Sequence, residues 1–264
     1  MVYYDRNANK MRSALVRKKE NAMSVVVTQV AVYHSDLPTK FGIPRQSGLA
    51  GTEGYITFLP PYRDPSAIRG IEGFSHLWLL WGFSLNRPSS PSLTVRPPRL
   101  GGNEKVGVFA SRSPFRPSPI GLSSVRMMGI TTDAEKGPVL YVEGADLADG
   151  TPIYDIKPYL AFTDSHPDAV GGFADVVAGK KLSVVWPPHL RGILPPEKEE
   201  LLTQLLTQDP RPAYQDDPER VYGLPYAGYD VRFSVRGKTL TVKALSDGTD
   251  LLPHKEDSAP KDHS

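Results

Sequence analysis

Apolar and polar residues alternate in short runs over the first 160 positions of the chain. Gly54-Tyr-Ile-Thr-Phe-Leu59, His76-Leu-Trp-Leu-Leu-Trp-Gly-Phe83, Lys105-Val-Gly-Val-Phe-Ala110, Gly121-Leu-Ser-Ser-Val-Arg-Met127 and Val139-Leu-Tyr-Val-Glu143 have the length and composition of strands. The β-branched run from Ser24 to Tyr33 predicts a first strand. Proline clusters at Pro60-Pro61, Pro97-Pro98 and Pro114 to Pro119 separate these runs, and one weak helical interval falls near Pro65 to Ile71. Many short strands with little helix predict a closed or nearly closed barrel rather than a βαβ sheet.

The pattern changes after Tyr159. Phe162 to Gly179 reads as loop. Pro195 to Gln208 reads as a helix, with prolines at its start, acids in its first turn and a stripe of Leu201, Leu202, Leu205 and Leu206. Core or dimer packing explains that stripe better than catalysis does. Asp230–Arg236 alternates at period two and is expected to pair with Thr239–Leu245 across Gly237-Lys238. The expected layout is a basic leader over 1–22, a β-barrel over 23–165, a small α+β domain over 166–250 and a polar tail over 251–264. The fold class is mainly β.

Proline (26) and glycine (23) are abundant among the 264 residues, which agrees with a turn-rich chain. Cysteine is absent, excluding disulfides, thiolate metal sites and a cysteine nucleophile. The six histidines are scattered without ligand spacing, so no metal is expected, and no apolar run is long enough to span a membrane. The leader has no apolar core of a secretory signal, and the expected location is cytoplasmic.

Net charge is only +2, but its distribution is uneven. From Arg87 to Arg126 seven cations face a single acid, Glu104, and six of the seven are arginines. Arginine's planar fork suits phosphate and carboxylate. Nucleotide-binding and hydrolase motifs (G-x-x-x-x-G-K-[ST], G-x-G-x-x-G, H-E-x-x-H, G-x-S-x-G) are missing. Leu59-Pro-Pro-Tyr62 has leucine where a methyltransferase adenine loop needs a polar residue, so it reads as a turn.

Three segments carry candidate chemistry. Lys40-Phe-Gly-Ile-Pro-Arg-Gln-Ser-Gly48 is a stiffened loop presenting Arg45 and Gln46. Val95-Arg-Pro-Pro-Arg-Leu-Gly-Gly-Asn103 runs on to Phe109-Ala-Ser-Arg-Ser-Pro-Phe-Arg-Pro117, interleaving arginine and aromatics as single-stranded nucleic-acid grooves do. Gly144 to Tyr159 holds Asp146, Asp149, Asp155 and Lys157.

These strings, together with Gly73-Phe-Ser-His-Leu-Trp78, Pro119-Ile-Gly121 and Asp149-Gly-Thr-Pro-Ile-Tyr-Asp-Ile-Lys-Pro-Tyr159, resemble the TsaA-like barrel of the TrmO family of tRNA methyltransferases. Gln208-Asp-Pro-Arg-Pro-Ala-Tyr214 is similar to a motif of that family's C-terminal domain. The resemblance runs from Met23 to about Leu245.

The resemblance implies an S-adenosylmethionine-dependent homodimer that methylates N6 of threonylcarbamoyladenosine at position 37 of threonine tRNA, beside the anticodon. It implies cofactor contacts at Ile43, Pro44, Arg45 and Gln46, at Phe83 and Ser84, at Arg112 and Leu122, and at Glu143, Gly144, Ala145 and Asp146. Arg96, Arg99, Arg116 and Lys157 become candidates for RNA contact. Asp209, Arg211 and Tyr214 are expected on the substrate side or at a dimer contact. Asp146 and Asp155 are candidate acceptors of the departing amine proton. The alternatives are a non-catalytic barrel that binds RNA or a nucleoside, and the same barrel methylating another substrate.

Overall fold

Strand alternation that buries every second residue dictates the first half of the fold. In the computed structural model, residues 25–86, 92–97, 104–177, 181–211 and 217–248 are described. Six strands, β1 (Ala31–Ser35), β2 (Glu53–Phe58), β3 (His76–Gly82), β6 (Ile120–Asp133), β7 (Gly137–Glu143) and β8 (Thr151–Pro158), close into a barrel in the order β1-β2-β7-β6-β3-β8. Every neighbouring pair is antiparallel, and Ala31 opposite Ile153 closes the ring. Inward positions carry Ala31, Tyr33, Ile56, Leu77, Leu79, Val125, Leu140 and Ile153, all essentially sealed from solvent. Between β3 and β6, β4 (Thr94–Val95) and β5 (Val106–Gly107) pair as a separate two-stranded ribbon.

Two short helices, α1 (Ala161–Asp164) and α2 (Phe173–Val177), precede a second core. There β9 (Ser183–Val185), β10 (Tyr222–Tyr226), β11 (Tyr229–Arg236) and β12 (Thr239–Asp247) form a sheet in the order β10-β11-β12-β9. Helix α3 (Pro196–Thr207) buries the leucine stripe 201, 202, 205 and 206 in the same cluster as Leu224, Val231, Phe233 and Val242. The stripe is therefore core. The β11–β12 hairpin turns at Gly237, whose φ of 59° suits glycine.

The link from β1 to β2 joins the two cores. Leu37 and Ala50 are buried in the second cluster, and Phe41 stacks on Phe233 with ring centres 6.3 Å apart. Gly42 sits at φ 95°, and a Cβ there would lie 2.2 Å from a Leu224 methyl carbon. Only glycine lets the loop pass so close to the second fold.

Several sequence expectations need correction. In the run expected as the first strand, the described residues 25–30 are not strand, which begins at Ala31; Val25 and Val26 lie exposed. Lys105–Ala110 is strand only at Val106–Gly107, then winds into a 3₁₀ turn at Val108–Ala110. Pro65–Ile71 holds one such turn, Pro65–Ile68, and the start of another, Ile71–Gly73. Phe162–Gly179, expected as loop, includes most of α1 and all of α2. Strand β10 went unforeseen because Gly223 and Pro225 interrupt its pattern. No helix among the described residues is long and apolar enough to cross a membrane, and no cluster of three or more metal-ligating side chains occurs among them.

Candidate functional site

The 40–48 loop is lashed to the end of β7 by backbone bonds. Gly48 N–H donates to the Gly144 carbonyl at 2.8 Å, Gly144 N–H to Thr52 O at 2.9 Å, and the Thr52 hydroxyl to Ala145 O. Ala145 is completely buried, so the next residue, Asp146, is set from a fixed backbone.

Asp146 is held by neutral donors. Trp81 Nε1–H donates to Ser123 Oγ at 2.9 Å, and the Ser123 hydroxyl donates to Asp146 Oδ1. A hydroxyl has one proton, and an indole can only donate, so this bond order has a single direction. Ser123 occupies an inward position of β6 opposite Leu79 and is 1% exposed. Burial pushes the Asp146 carboxyl above its usual range; the Ser123 hydroxyl, backbone amides including that of Ser47, and the Arg112 charge pull it partly back. No salt bridge among the described residues involves Asp146.

Around this carboxylate the other expected residues knit together. Arg112 donates to Gln46 Oε1, and Gln46 Nε2 donates to Arg45 O. Arg45 reaches into the second fold, donating Nη2 to the carbonyls of Asp209 at 2.7 Å and Arg211 at 3.2 Å. Arg211 in turn grips Asp209 through Nε at 2.8 Å and Nη2 at 3.0 Å. Asp209 has φ 53°, a left-handed turn that brings both carbonyls to Arg45. Thus Arg45, expected to be presented by a stiffened loop as a cofactor contact, also fastens that loop to the C-terminal motif.

Three clefts meet at the loop. One of about 240 Å³ is lined by Ile43, Phe83, Ser84 and Asp146, and one of about 520 Å³ by Gln46, Arg112, Arg116, Leu122 and Asp146. Pro44, Trp81, Phe83 and Pro114 face both, with Trp81 and Phe83 edge-to-face at 4.5 Å. Gly121 belongs to this wall: a Cβ there would fall 2.2 Å from the Trp81 indole. The third and largest, about 930 Å³, opens between the two folds and is lined by Arg96, Arg112, Phe115, Phe173, Asp209 and Arg211, sharing Pro44, Arg45 and Gln46 with its neighbour.

A half-buried carboxylate beside aromatic and prolyl faces suits an organic cation, and the adjacent arginines suit an anion. This is the donor set that a sulfonium nucleoside carrying an amino-acid group requires. A fourth groove of about 800 Å³ runs along α3. Its polar groups serve the fold: Glu199 takes Gly192 N–H and Arg191, and Gln204 takes Gly51 N–H.

Not every expected residue joins the site. Asp155 and Lys157 pair with each other at 2.7 Å on β8, opposite Leu80 and Trp78 of β3, and line none of these clefts. Glu143 pairs with Arg126 at 3.3 Å at the end of β7, also outside the clefts. Gly144 and Ala145 act through their backbone. Arg116 spends one donor on Ser111 O at 3.0 Å. Arg99 and Tyr214 lie outside the described residues. Ser123, Trp81 and Pro114 escaped the sequence reading; a serine in an inward slot of β6, between Gly121 and Val125, was the available signal.

Comparison with known proteins identifies the family. Residues 32–165 match the tRNA-methyltransferase O N-terminal domain, and residues 180–248 the TrmO C-terminal domain. The chain is 38% identical over 226 residues to the tRNA (adenine(37)-N6)-methyltransferase of Escherichia coli K12, covering 82% of this chain and 96% of that protein. It is 46% identical over 173 residues to the enzyme of that name from Eikenella corrodens, covering 65% and 97%. A crystal structure of TrmO from Pseudomonas aeruginosa superposes with a TM-score of 0.68 at 34% identity, covering 86% of this chain and 99% of the other.

Proposed function

The chain belongs to the TrmO family, an S-adenosylmethionine-dependent tRNA (adenine-N6)-methyltransferase acting at position 37, and from that premise we propose that its chemistry takes place where the smaller clefts meet at Asp146. The donor supplies a methyl group on a sulfonium sulfur, an electrophile that needs only an aligned nucleophile. Ile43, Pro44, Gln46, Phe83, Ser84, Arg112 and Leu122 hold it, with Arg45 fixing the loop and Glu143 to Ala145 setting the backbone beneath. This rests on their common lining of two adjoining clefts.

N6 of adenine is a weak nucleophile because its lone pair is delocalised into the ring, so alignment in a water-poor pocket must supply most of the rate. The amine proton has to leave as the new bond forms. Asp146, with a carboxyl of raised proton affinity, receives it. Its Oδ1 stays engaged by Ser123 and its other oxygen is the one assigned to the proton. Arg96, Arg99 and Arg116 neutralise phosphates, Asp209 and Arg211 form the far lip of the large cleft, and Tyr214 is assigned to the substrate side with them. The finer reading is a cytoplasmic homodimer that selects threonine tRNA carrying threonylcarbamoyladenosine.

The observation that carries this proposal is a half-buried carboxylate of raised proton affinity, held by a serine, an indole relay and backbone amides at the junction of two clefts. Calorimetry with S-adenosylmethionine and a methyl-transfer assay on position-37-modified tRNA test it. Asp146→Ala is expected to lower kcat/KM by about 10²- to 10⁴-fold. Full activity in that variant overturns the assignment.

A further inference from the structure

The segment that follows β5 holds two phenylalanines out of the fold on a rigid base. Phe109 is 78% exposed and Phe115 is 49% exposed. Val108 beside Phe109 is 1% exposed, and its N–H donates to Leu93 O at 3.0 Å. Ser111 then stitches the turn: its hydroxyl donates to Val108 O at 2.9 Å and accepts from Ser113 N–H at 3.4 Å. Ser113 Oγ accepts from Phe115 N–H at 3.2 Å, and Arg116 Nη1 donates back to Ser111 O at 3.0 Å. The backbone from 108 to 116 is thus cross-linked by its own serines and by one arginine. Both rings are presented by a preorganised turn, and a loose loop that folded them away would hide more apolar surface.

The surroundings say what such rings meet. Among the described residues of 92–97 and 104–116, Arg96, Lys105, Arg112 and Arg116 stand against Glu104 alone. Rigid exposed aromatics within a cationic strip match the unpaired bases and phosphates of single-stranded nucleic acid. Phe115 lines the 930 Å³ cleft, while Arg112 and Pro114 border both that cleft and the Asp146 wall. The strip therefore leads toward the reacting centre.

We propose that the turn from Val108 to Arg116 is the docking face for the unpaired anticodon-loop stretch of the tRNA, with Phe109 and Phe115 as stacking surfaces for successive bases. This deepens the proposed function and rests on the chain being a tRNA methyltransferase.

The test uses the full chain and unlabelled-donor-free binding to tRNA, measured by fluorescence anisotropy at several salt concentrations, beside calorimetry with S-adenosylmethionine. Phe109→Ala and Phe115→Ala are each expected to weaken tRNA binding by about fivefold to a hundredfold. The slope of log Kd against log salt, the donor affinity and the melting temperature stay as in the wild type. Phe109→Trp keeps the affinity and Phe109→Leu loses it, separating stacking from simple apolar contact. Lys105→Ala does the opposite, lowering the slope by about 0.7.

Wild-type tRNA affinity in both alanine variants overturns the proposal. So does a change in oligomeric state, which would assign the rings to a second copy of the chain. Failure of the wild-type protein to bind tRNA at all would instead strike the functional reading beneath it.

Discussion

Asp146 in the barrel and Asp230 in the C-terminal sheet are both carboxylates drawn away from water, Asp146 in part and Asp230 almost wholly, yet the chain treats them differently. Asp230, 4% exposed on β11, is paired with the guanidinium of Arg232 two residues along the same strand. Asp146 is met by a serine hydroxyl and backbone amides, while Arg112, whose charge acts on it, is hydrogen-bonded to Gln46. A paired buried charge is a settled structural element. One held only by neutral groups keeps an elevated appetite for a proton or a cation, which is costly for the fold and useful to a reaction.

The largest expected contrast comes from making the same change at both positions. Asp146→Asn removes methyl transfer while the protein stays folded. Asp230→Asn leaves transfer intact but costs about 1–3 kcal/mol, read as a lower melting temperature. Equal losses of activity in the two variants would erase the distinction.

Ser123→Ala is the next test. It deprives Asp146 of a donor and leaves the Trp81 N–H without its acceptor, at a cost of about 1–3 kcal/mol. Because the Ser123 bond lowers the Asp146 carboxyl, its loss moves the acid limb of the kcat/KM profile to higher pH. Ser123→Thr, which keeps the hydroxyl, restores that limb.

A smaller effect concerns stability against pH. The folded chain binds the Asp146 proton more tightly than the unfolded chain does. Its stabilising contribution is therefore complete below the ordinary carboxyl value and is lost as pH rises through the raised one. Asp146→Asn should melt above the wild type at pH 7, with the gap closing in acid; parallel curves would contradict the burial cost. Smallest of all, Asp155→Asn should change stability by less than about 0.5 kcal/mol and leave activity in place, because its partner Lys157 is solvent-exposed.

Much of this was legible in the residues themselves. The alternation of β2, β3 and β7 marked the barrel, and the leucine stripe of α3 marked the second core. Strand β8 was hidden because the same residues, Thr151 to Pro158, carry the aspartate, lysine and prolines that read as a site. The Lys105–Ala110 run misled because composition alone does not reveal that Val108 turns inward while Phe109 turns out. The choice between Asp146 and Asp155 was out of reach. It depends on barrel closure, which brings Trp81 and Ser123, 42 positions apart, to one aspartate and leaves the other on the outer wall.

The grip of Arg45 on the second fold has an evolutionary reading. It recognises two main-chain oxygens, at Asp209 and Arg211, and is blind to what those residues carry as side chains. Mutation at either position is filtered by backbone shape alone as far as this fastening goes. The left-handed bend at Asp209 then admits asparagine or glycine and rejects valine or isoleucine. Two folds joined in this way can drift in surface chemistry while holding their mutual alignment.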